Sequence, residues 1–486
     1  MQRKVTKMKS NAKSKIIILI ALGVIFALLP VITTNLRFIA GNSNKSSEYC
    51  DDCNLDNKNL KISAVSERIH IDNNWTAAKA AGICTGEGIY SDPYIIEDLI
   101  IDGGGSANCI LIANSDVYFK IENCTVYNST SFYVGNFFYS YAGIKLSHVS
   151  NSYIIDNDCL DNYFGIYLGF HSDNNTISGN IASNNDNGGI YLQQSNNNTL
   201  SGNTASNNTY YGIQIYYCNN NILSGNTANN NKWSGISLET CNNTTLSGNL
   251  MNFCGIILSG SLVEMASHNI DKTNLVNNKS IYYYKNEFGL DSSNFTNAGQ
   301  IILVNCNNSK ISGLNISDGS GIYLYYCVNN TISGNTASNN NWNGIDLYCS
   351  NNNTISGNHL TYNTQYGIKL ANNANNTIAY RNCFIQNGIN AIDDGYNNQW
   401  DNGAIGNYWD DYGHVDANND GIGDTPYIIS GTAGSQDNFP LMECPLPVPG
   451  DVIPLELIII ISVISGGAVI GVATLLLVRR KRKRIE

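Results

Sequence analysis

The chain has 486 residues, of which 43% are hydrophobic and 13% are charged, and its formal net charge at pH 7 is −11. The basic side chains concentrate at the two ends, up to Arg37 and after Val478, so the long middle of the chain is strongly acidic. An acidic body repels the phosphates of nucleic acids. Nucleic-acid binding is therefore excluded as the function.

The N-terminal segment 1–41 contains the apolar stretch Ile16–Ile32, which follows several lysines and is typical of a signal peptide or a signal anchor. No clean small-x-small cleavage site follows, so both alternatives stay open. Residues 42–61 are predicted to form a polar linker. Its Cys50 and Cys53 are interpreted as disulfide partners of each other or of other cysteines, since the βαβ context of a redox CxxC motif is absent. The 14 cysteines fit a location outside the cytoplasm.

Residues 62–395 are predicted to form a parallel β-helix whose first coils, 62–145, are irregular. The segments NNTISGNIASNN from Asn174 and NNTLSGNTASNN from Asn197 are 23 residues apart, and similar segments recur along the chain. Within each repeat, inward apolar residues alternate with one outward residue, which is the pattern of a strand. Strands this short bury their apolar side only by stacking coils about 4.8 Å apart. The expected fold class is all-β, a right-handed parallel β-helix solenoid.

Other residue types recur with the same period. In-register asparagines are predicted to stack their amides at the corners of the coils: Asn180, Asn203, Asn226, Asn249, Asn335 and Asn358. Cys218 and Cys241 share another phase with Cys306 and Cys327, which predicts either disulfides between coils or a buried thiol stack. The period breaks over 256–300, where atypical coils that carry a projecting loop are expected. N-x-T triplets predict glycosylation at Asn174, Asn197, Asn242, Asn329, Asn352 and Asn375.

Residues 396–443 are predicted to form a C-terminal cap with a calcium-type loop. Oxygen ligands at positions 1, 3, 5 and 9 and a glycine at position 6 follow the logic of calcium loops. The side chains of Asp416, Asn418, Asp420 and Asp424 and the carbonyl of Ile422 are the expected ligands. Position 12 is Tyr427, so a complete EF-hand is excluded. The alternative is an acidic, glycine-rich turn without an ion.

The C-terminal end is predicted to attach the chain to a membrane. After a proline-containing linker over 444–454, residues 455–478 form an apolar stretch long enough for a membrane-spanning helix. The basic tail 479–486 follows at once and is expected in the cytoplasm. This predicts a cell-membrane protein with its body outside, crossing once, or twice if the leader is retained.

The repeats, taken with GNYWDDYGHVDANNDGIGDTPYIISGTAGSQDNFPLM from Gly406, resemble the NosD-like β-helix family. That family includes periplasmic copper-binding proteins and many archaeal surface proteins, and the resemblance covers roughly 65–443. It implies the β-helix fold, and it makes glycan contact and copper handling possible functions. Copper sites use Cys, Met and His. His414, beside Asp410 and Asp411, is the one local cluster, and a solvated surface histidine is its alternative interpretation.

Outward tyrosines, amides and acids predict a glycan-binding face, since tyrosine offers an apolar ring and a polar tip. The candidates are Tyr167, Tyr191, Gln214, Tyr216, Tyr323, Tyr325 and Asp346. The alternative is that tyrosine is simply favoured in strands. An enzyme would need converging carboxylates. Asp393–Asp394 and Asp410–Asp411 are adjacent and expected to face opposite sides, so no catalytic residue is assigned.

The function expected from the sequence is therefore that of a non-catalytic surface protein that binds a cell-surface glycan or protein. A carbohydrate-active enzyme on the same fold and NosD-like copper handling are the alternatives.

Overall fold

The computed structural model describes residues 64–134, 137–445, 457–465 and 468–476. It shows a parallel β-solenoid of about 13 turns. The predicted leader, the linker and the Cys50–Cys53 pair lie outside the described residues. The solenoid consists of two segments, here named the first segment (residues 64–276) and the second segment (residues 279–409), followed by a cap (residues 410–445).

The first segment has three parallel sheets and one antiparallel strand pair, Phe132–Val134 with Phe137–Tyr139. The longest strands form the sheet named the front sheet. Its strands, in spatial order, are Ile69–Asp72, Ile110–Ser115, Ala142–Val149, Phe164–Gly169, Gly188–Gln193, Tyr211–Tyr216, Ser234–Glu239 and Ile256–Ser259. The second sheet contains Tyr94–Glu97, Phe119–Glu122, Ser152–Ile155, Thr176–Ser178, Thr199–Ser201, Ile222–Ser224, Thr245–Ser247 and Asn269–Ile270. The third contains Ala64–Ser66, Leu99–Asp102, Thr125–Tyr127 and Asp158–Leu160.

The second segment repeats this plan. Its front sheet contains Lys279–Lys285, Gln300–Val304, Ile322–Tyr325, Asn343–Tyr348, Tyr366–Ala371 and Ile389–Asp393, and is joined through Lys279–Lys285 to Leu275–Val276 and Leu250–Met251. The other two sheets contain Lys310–Ser312, Thr331–Ser333, Thr354–Ser356 and Ile378–Tyr380, and then Thr336–Ser338, His359–Thr361, Cys383–Ile385 and Tyr408–Trp409. The helices are short: Trp75–Ala80, Leu262–Ser267 and the 3₁₀ turn Ser292–Phe295.

The corners of the coils are held by the predicted asparagine ladder. In each coil the Nδ2 of the ladder asparagine donates to a carbonyl of the preceding coil and to the next asparagine. Asn226 Nδ2, for example, lies 3.0 Å from Leu200 O and 2.9 Å from Asn249 Oδ1. The Asn226 side chain is fully buried, and its polar groups are paired within the stack. The amide stacking expected from the sequence is confirmed.

The in-register cysteines form a buried thiol stack and no disulfide. Cys218, Cys241, Cys306 and Cys327 are free and buried. Their sulfurs accept backbone N–H groups: Cys218 N lies 3.4 Å from Cys241 Sγ, and Cys306 N lies 3.3 Å from Cys327 Sγ. Of the two alternatives, the structure has the thiol stack. The one disulfide among the described residues joins Cys383 to Cys444, a pairing that the sequence did not indicate.

The break in the period is a junction between the segments and not a projecting loop. Tyr282, Leu290 and Phe295 from this stretch are buried in the core of the second segment. The last front strand of the first segment ends against a side chain, because Gln300 accepts from Ile256 N at 2.9 Å and donates to Ile256 O at 2.7 Å. The expectation of a loop was wrong because the broken repeat still carries enough apolar residues to pack.

The C-terminal apolar stretch differs from the predicted helix. It contains two antiparallel strands, Leu457–Ser465 and Ala468–Leu476. The physical reason is composition, since isoleucine and valine are frequent in both strands and β-branched residues favour strands. Within the described part of the chain, no helix is both long and apolar enough to cross a membrane.

Candidate functional site

A concave surface lies on the front sheet of the first segment and is named the aromatic groove. Its cavity volume is about 480 Å³. The groove is lined by Ser140, Tyr163, Phe164, Tyr167, Asn187, Tyr191, Gln193, Tyr210, Tyr211, Gln214 and Trp233. Parallel pairing places Tyr167 beside Tyr191 and Tyr191 beside Gln214, so side chains from consecutive coils stand in a row.

The rings of the groove contact one another along the solenoid axis. Phe164 stacks on Tyr191 with ring centroids 4.9 Å apart, and Tyr167 lies 5.0 Å from Tyr191. Tyr210 meets Trp233 edge-on at 4.6 Å. Aromatic pairs at such distances add to the stability of the surface beyond the area they bury. The groove is therefore a preformed surface that needs little ordering before a ligand binds.

Polar side chains are placed at the edges of these rings. Tyr167 OH donates to Gln193 Oε1 at 2.5 Å, and Gln214 Nε2 donates to Glu239 Oε1 at 2.9 Å. Burial raises the pKa of Tyr167 to about 12, so its hydroxyl keeps its proton at neutral pH. Lys145 Nζ lies 4.6 Å from the centre of the Tyr167 ring, and burial lowers the pKa of this amine. The groove thus offers hydroxyl and amide groups as donors and acceptors around apolar rings.

The junction extends the row of rings into the second segment. Trp233 contacts Trp342 with ring centroids 5.6 Å apart. Asn341 Nδ2 donates to Asn231 O at 2.8 Å beside them. Further along, the half-buried Asp346 accepts from Asn343 Nδ2 at 2.7 Å. Burial raises the pKa of the Asp346 carboxyl.

Two of the predicted glycan-binding residues are wrong. Tyr323 and Tyr325 are 1% and 5% exposed, because the outer face of the second front sheet packs against the last coil of the first segment. Tyr167, Tyr191 and Gln214 do line the groove, whereas Tyr216 stands beyond it against Tyr217. Asp346 lies on the second segment, away from these side chains.

The sequence interpretation missed the rings that precede the strands. Tyr163, Tyr210, Trp233 and Trp342 each stand two residues before the glycine of a front strand, and three of them line the groove. A count of aromatics at that phase of the repeat would have found them. The predicted glycan-binding residues all lie at outward positions within the strands.

The predicted calcium loop is exposed and its oxygens bond to the backbone of the loop itself. Asp416 Oδ2 accepts from Gly421 N at 2.9 Å, and Asp420 Oδ1 accepts from Ile422 N at 2.9 Å. Asp424 Oδ2 accepts from Ala417 N at 2.9 Å, and Asn418 Nδ2 donates to Asp420 Oδ2 at 2.9 Å. Calcium binding stays a prediction.

The acidic pairs and His414 make separate contacts in the structure. Asp410 and Asp411 both accept from Asn390 Nδ2 at 3.0 Å, so this pair converges on one amide instead of facing opposite sides. The two residues follow the end of a strand, where side chains no longer alternate. Asp393 is buried and accepts from Trp400 Nε1, whereas Asp394 is bound to Thr432, as expected for opposite faces. His414 is exposed and contacts Tyr412.

Two family models match adjacent parts of the chain. A right-handed β-helix region matches residues 108–269, and the periplasmic copper-binding protein NosD matches residues 255–414. The two matches overlap at the junction between the segments. No curated protein matches the chain.

Solved structures that resemble the chain are remote. The mannuronan C-5 epimerase AlgE6 A-module of Azotobacter vinelandii is 15% identical, with a TM-score of 0.29, over 69% of this chain and 93% of that one. The periplasmic alginate epimerase AlgG is 14% identical, with a TM-score of 0.23, over 68% and 78%. Scores this low carry no argument about function. The repeats, the coiled structure and the two family matches together support a NosD-like right-handed β-helix family for this chain.

Proposed function

We propose that the protein binds a neutral glycan along the aromatic groove. The observation that carries the proposal is the row of rings, Phe164, Tyr191, Tyr211 and Trp233, with amides between them. Sugar rings present apolar faces that stack on aromatic side chains and hydroxyls that bond to amides and phenols. Successive coils repeat about every 4.8 Å, so an extended chain of sugars parallel to the solenoid axis meets a similar surface at each step.

A neutral ligand is favoured over an anionic one by the charges around the groove. The chain as a whole carries a net charge of −11. Glu239 bonds to Gln214 in the groove wall, and the nearby Lys145 is half-buried with a lowered pKa. An acidic polysaccharide would therefore meet repulsion with little compensation.

We propose binding without catalysis, and the composition of the groove supports this choice. None of its eleven lining residues is an acid, and glycoside hydrolysis needs two carboxylates flanking the bond. A location outside the cytoplasm, attachment to a membrane and a cell-surface glycan or protein as partner stay predictions that accompany this proposal.

The test is a glycan array followed by calorimetry on the purified full chain. We expect selective binding of neutral oligosaccharides, and we expect Trp233→Ala to weaken it by roughly tenfold, since a lost stacking contact costs about 1–1.5 kcal/mol. Tyr217→Ala is the matched control, because Tyr217 is 48% exposed and stands outside the groove. A folded protein that binds no glycan, or a Trp233→Ala variant that binds as well as the parent, would contradict the proposal.

A further inference from the structure

A second set of chemically reactive side chains lies at the other end of the molecule, next to the cap. His359 and Cys383 begin neighbouring strands and pair in register, so their side chains stand on the same outer side of consecutive coils. The chain returns after Leu441, which bridges to Tyr408, and brings Cys444 over them. His359 and Cys383 are 6% and 0% exposed although they point away from the core.

The three ligand atoms are close enough for one ion. A histidine nitrogen and the two sulfurs lie within 4.8 Å of one another, and this is the one such group of His, Cys, Asp or Glu among the described residues. A cation about 2.0–2.3 Å from one nitrogen and two sulfurs holds those atoms about 4 Å apart. Small side-chain rotations therefore suffice to place the three donors around a common centre.

The donor set selects the class of ion. Thiolate and imidazole ligands suit soft and borderline cations such as Cu(I) and Zn(II), whereas Ca(II) and Mg(II) require oxygen ligands. Because the site is largely covered, an ion held there would be shielded from water and from competing ligands. None of these three residues belongs to the calcium-type loop, and none is His414, so the donor set differs from both predicted metal positions.

We propose that His359, Cys383 and Cys444 form a redox-gated site for a thiophilic cation. In the structure the two sulfurs are joined as a disulfide, which closes the site and ties the C-terminal segment to the coils. A dithiol reductant opens it: the S–S bond breaks, two electrons and two protons pass to the sulfurs, and the reductant leaves as its own disulfide. Binding of Cu(I) or Zn(II) then releases the two thiol protons. Disulfide and metal are mutually exclusive states of one pair of sulfurs.

The test measures metal uptake by the full chain with and without reduction. Both Cys50→Ser and Cys53→Ser are introduced first, so that the CxxC pair does not compete. The protein is reduced under anaerobic conditions with a phosphine, which contains no thiol. It is then dialysed against Cu(I) or, in a separate sample, Zn(II). We expect one ion per chain in the reduced protein and none in the oxidised one. Cu(I) uptake should produce sulfur-to-copper absorption in the near ultraviolet.

Variants distinguish the proposed ligands from other thiols. His359→Gln keeps the disulfide and should weaken uptake by roughly tenfold or more, since loss of even an outer partner of a metal ligand costs about that much. A variant with both Cys383→Ser and Cys444→Ser should lose the ion. His414→Gln is the matched control and should bind as the parent does. The proposal is overturned if the reduced chain takes up neither ion, or if His359→Gln binds both as tightly as the parent.

Discussion

The two solenoid segments share the same repeat, but the outer face of the front sheet is exposed in the first segment and buried in the second. In the first segment this face is open and carries the aromatic groove. In the second segment the corresponding face, with Ile302, Val304, Tyr323 and Tyr325, is buried against the last coil of the first. Tyrosines occupy such outward positions in both segments. An outward tyrosine in a β-helix therefore has no fixed role until its neighbouring segment is known.

The largest difference in stability between the two segments is expected for substitutions at the last residue of a front strand. Tyr325 and Tyr216 both end a front strand, but Tyr325 is 5% exposed and Tyr216 is half-buried and borders solvent. We expect Tyr325→Ala to lower the free energy of unfolding by about 3–5 kcal/mol, because it leaves a cavity at the junction. Tyr216→Ala should cost about 1 kcal/mol or less. Urea unfolding followed by circular dichroism compares the two, and equal losses would show that the junction contributes no stability.

The asparagine ladder is the same in both segments. Substitutions in it should therefore lower the free energy of unfolding by similar amounts in each segment. Asn226→Ala and Asn358→Ala each leave buried backbone groups without partners, and each should cost about 1–3 kcal/mol. The half-buried Asn219 belongs to an outer row, and Asn219→Ala should cost less than about 1 kcal/mol. The same urea experiment applies. A much larger loss for Asn226 than for Asn358 would mean that the segments differ in their interiors as well as in their faces.

Lowering the pH should destabilise the end of the first segment, whereas raising the pH should destabilise the cap. Burial, with a smaller contribution from Lys285, lowers the pKa of His268 at the end of the first segment to about 4. Its unfolded pKa is about 6.5, so stability is lost as the pH falls from about 6.5 to 4. Burial raises the pKa of Asp437 in the cap to about 6, although N–H bonds from Asn407 and Trp409 oppose the shift. Its unfolded pKa is about 3.9, so stability is lost as the pH rises from about 4 to 6.

Across its pH range, each group should change the free energy of unfolding by roughly 1–3 kcal/mol. A single substitution can abolish each dependence separately. Hydrogen exchange across the pH range locates the change in the first segment or in the cap. His268→Gln should flatten the first dependence and Asp437→Asn the second. A parent protein whose two ends respond to pH in the same direction would refute one of the two assignments, and the variant that leaves this dependence unchanged identifies which one.

The smallest effect is expected at the thiol stack. Ser350 occupies the phase of Cys327 in the next coil, where its Oγ donates to Leu324 O at 3.0 Å and accepts from Cys327 N at 2.9 Å. Cys327→Ser should therefore change the stability by less than about 1 kcal/mol. Cys327→Val removes the acceptor of Cys306 N and should cost about 1–3 kcal/mol. A large loss for the serine variant, measured by thermal unfolding, would show that sulfur packing matters more than hydrogen bonding.

The regular parts of the fold were predictable from the sequence, because their structure depends on local pattern. The 23-residue period predicted the coils, and in-register Asn180 and Asn203 predicted the ladder. The junction was not predictable, because Tyr323 and Tyr191 look alike until the packing of distant coils is known. His359 and Cys444 are 85 residues apart in the sequence, and no short motif joins them. The two C-terminal strands differ from the predicted helix because apolar length alone does not separate the two conformations.

The ladder also has a consequence for how the protein can change over generations. Coils such as those starting at Asn174 and Asn197 present the same contacts above and below, so one can be lost or duplicated without disturbing its neighbours. Recombination between repeated gene segments produces such changes in whole units. Each event would lengthen or shorten the groove by about 4.8 Å while leaving the junction and the cap intact. The length of a glycan bound along the proposed groove would then depend on the number of coils, which changes in whole units.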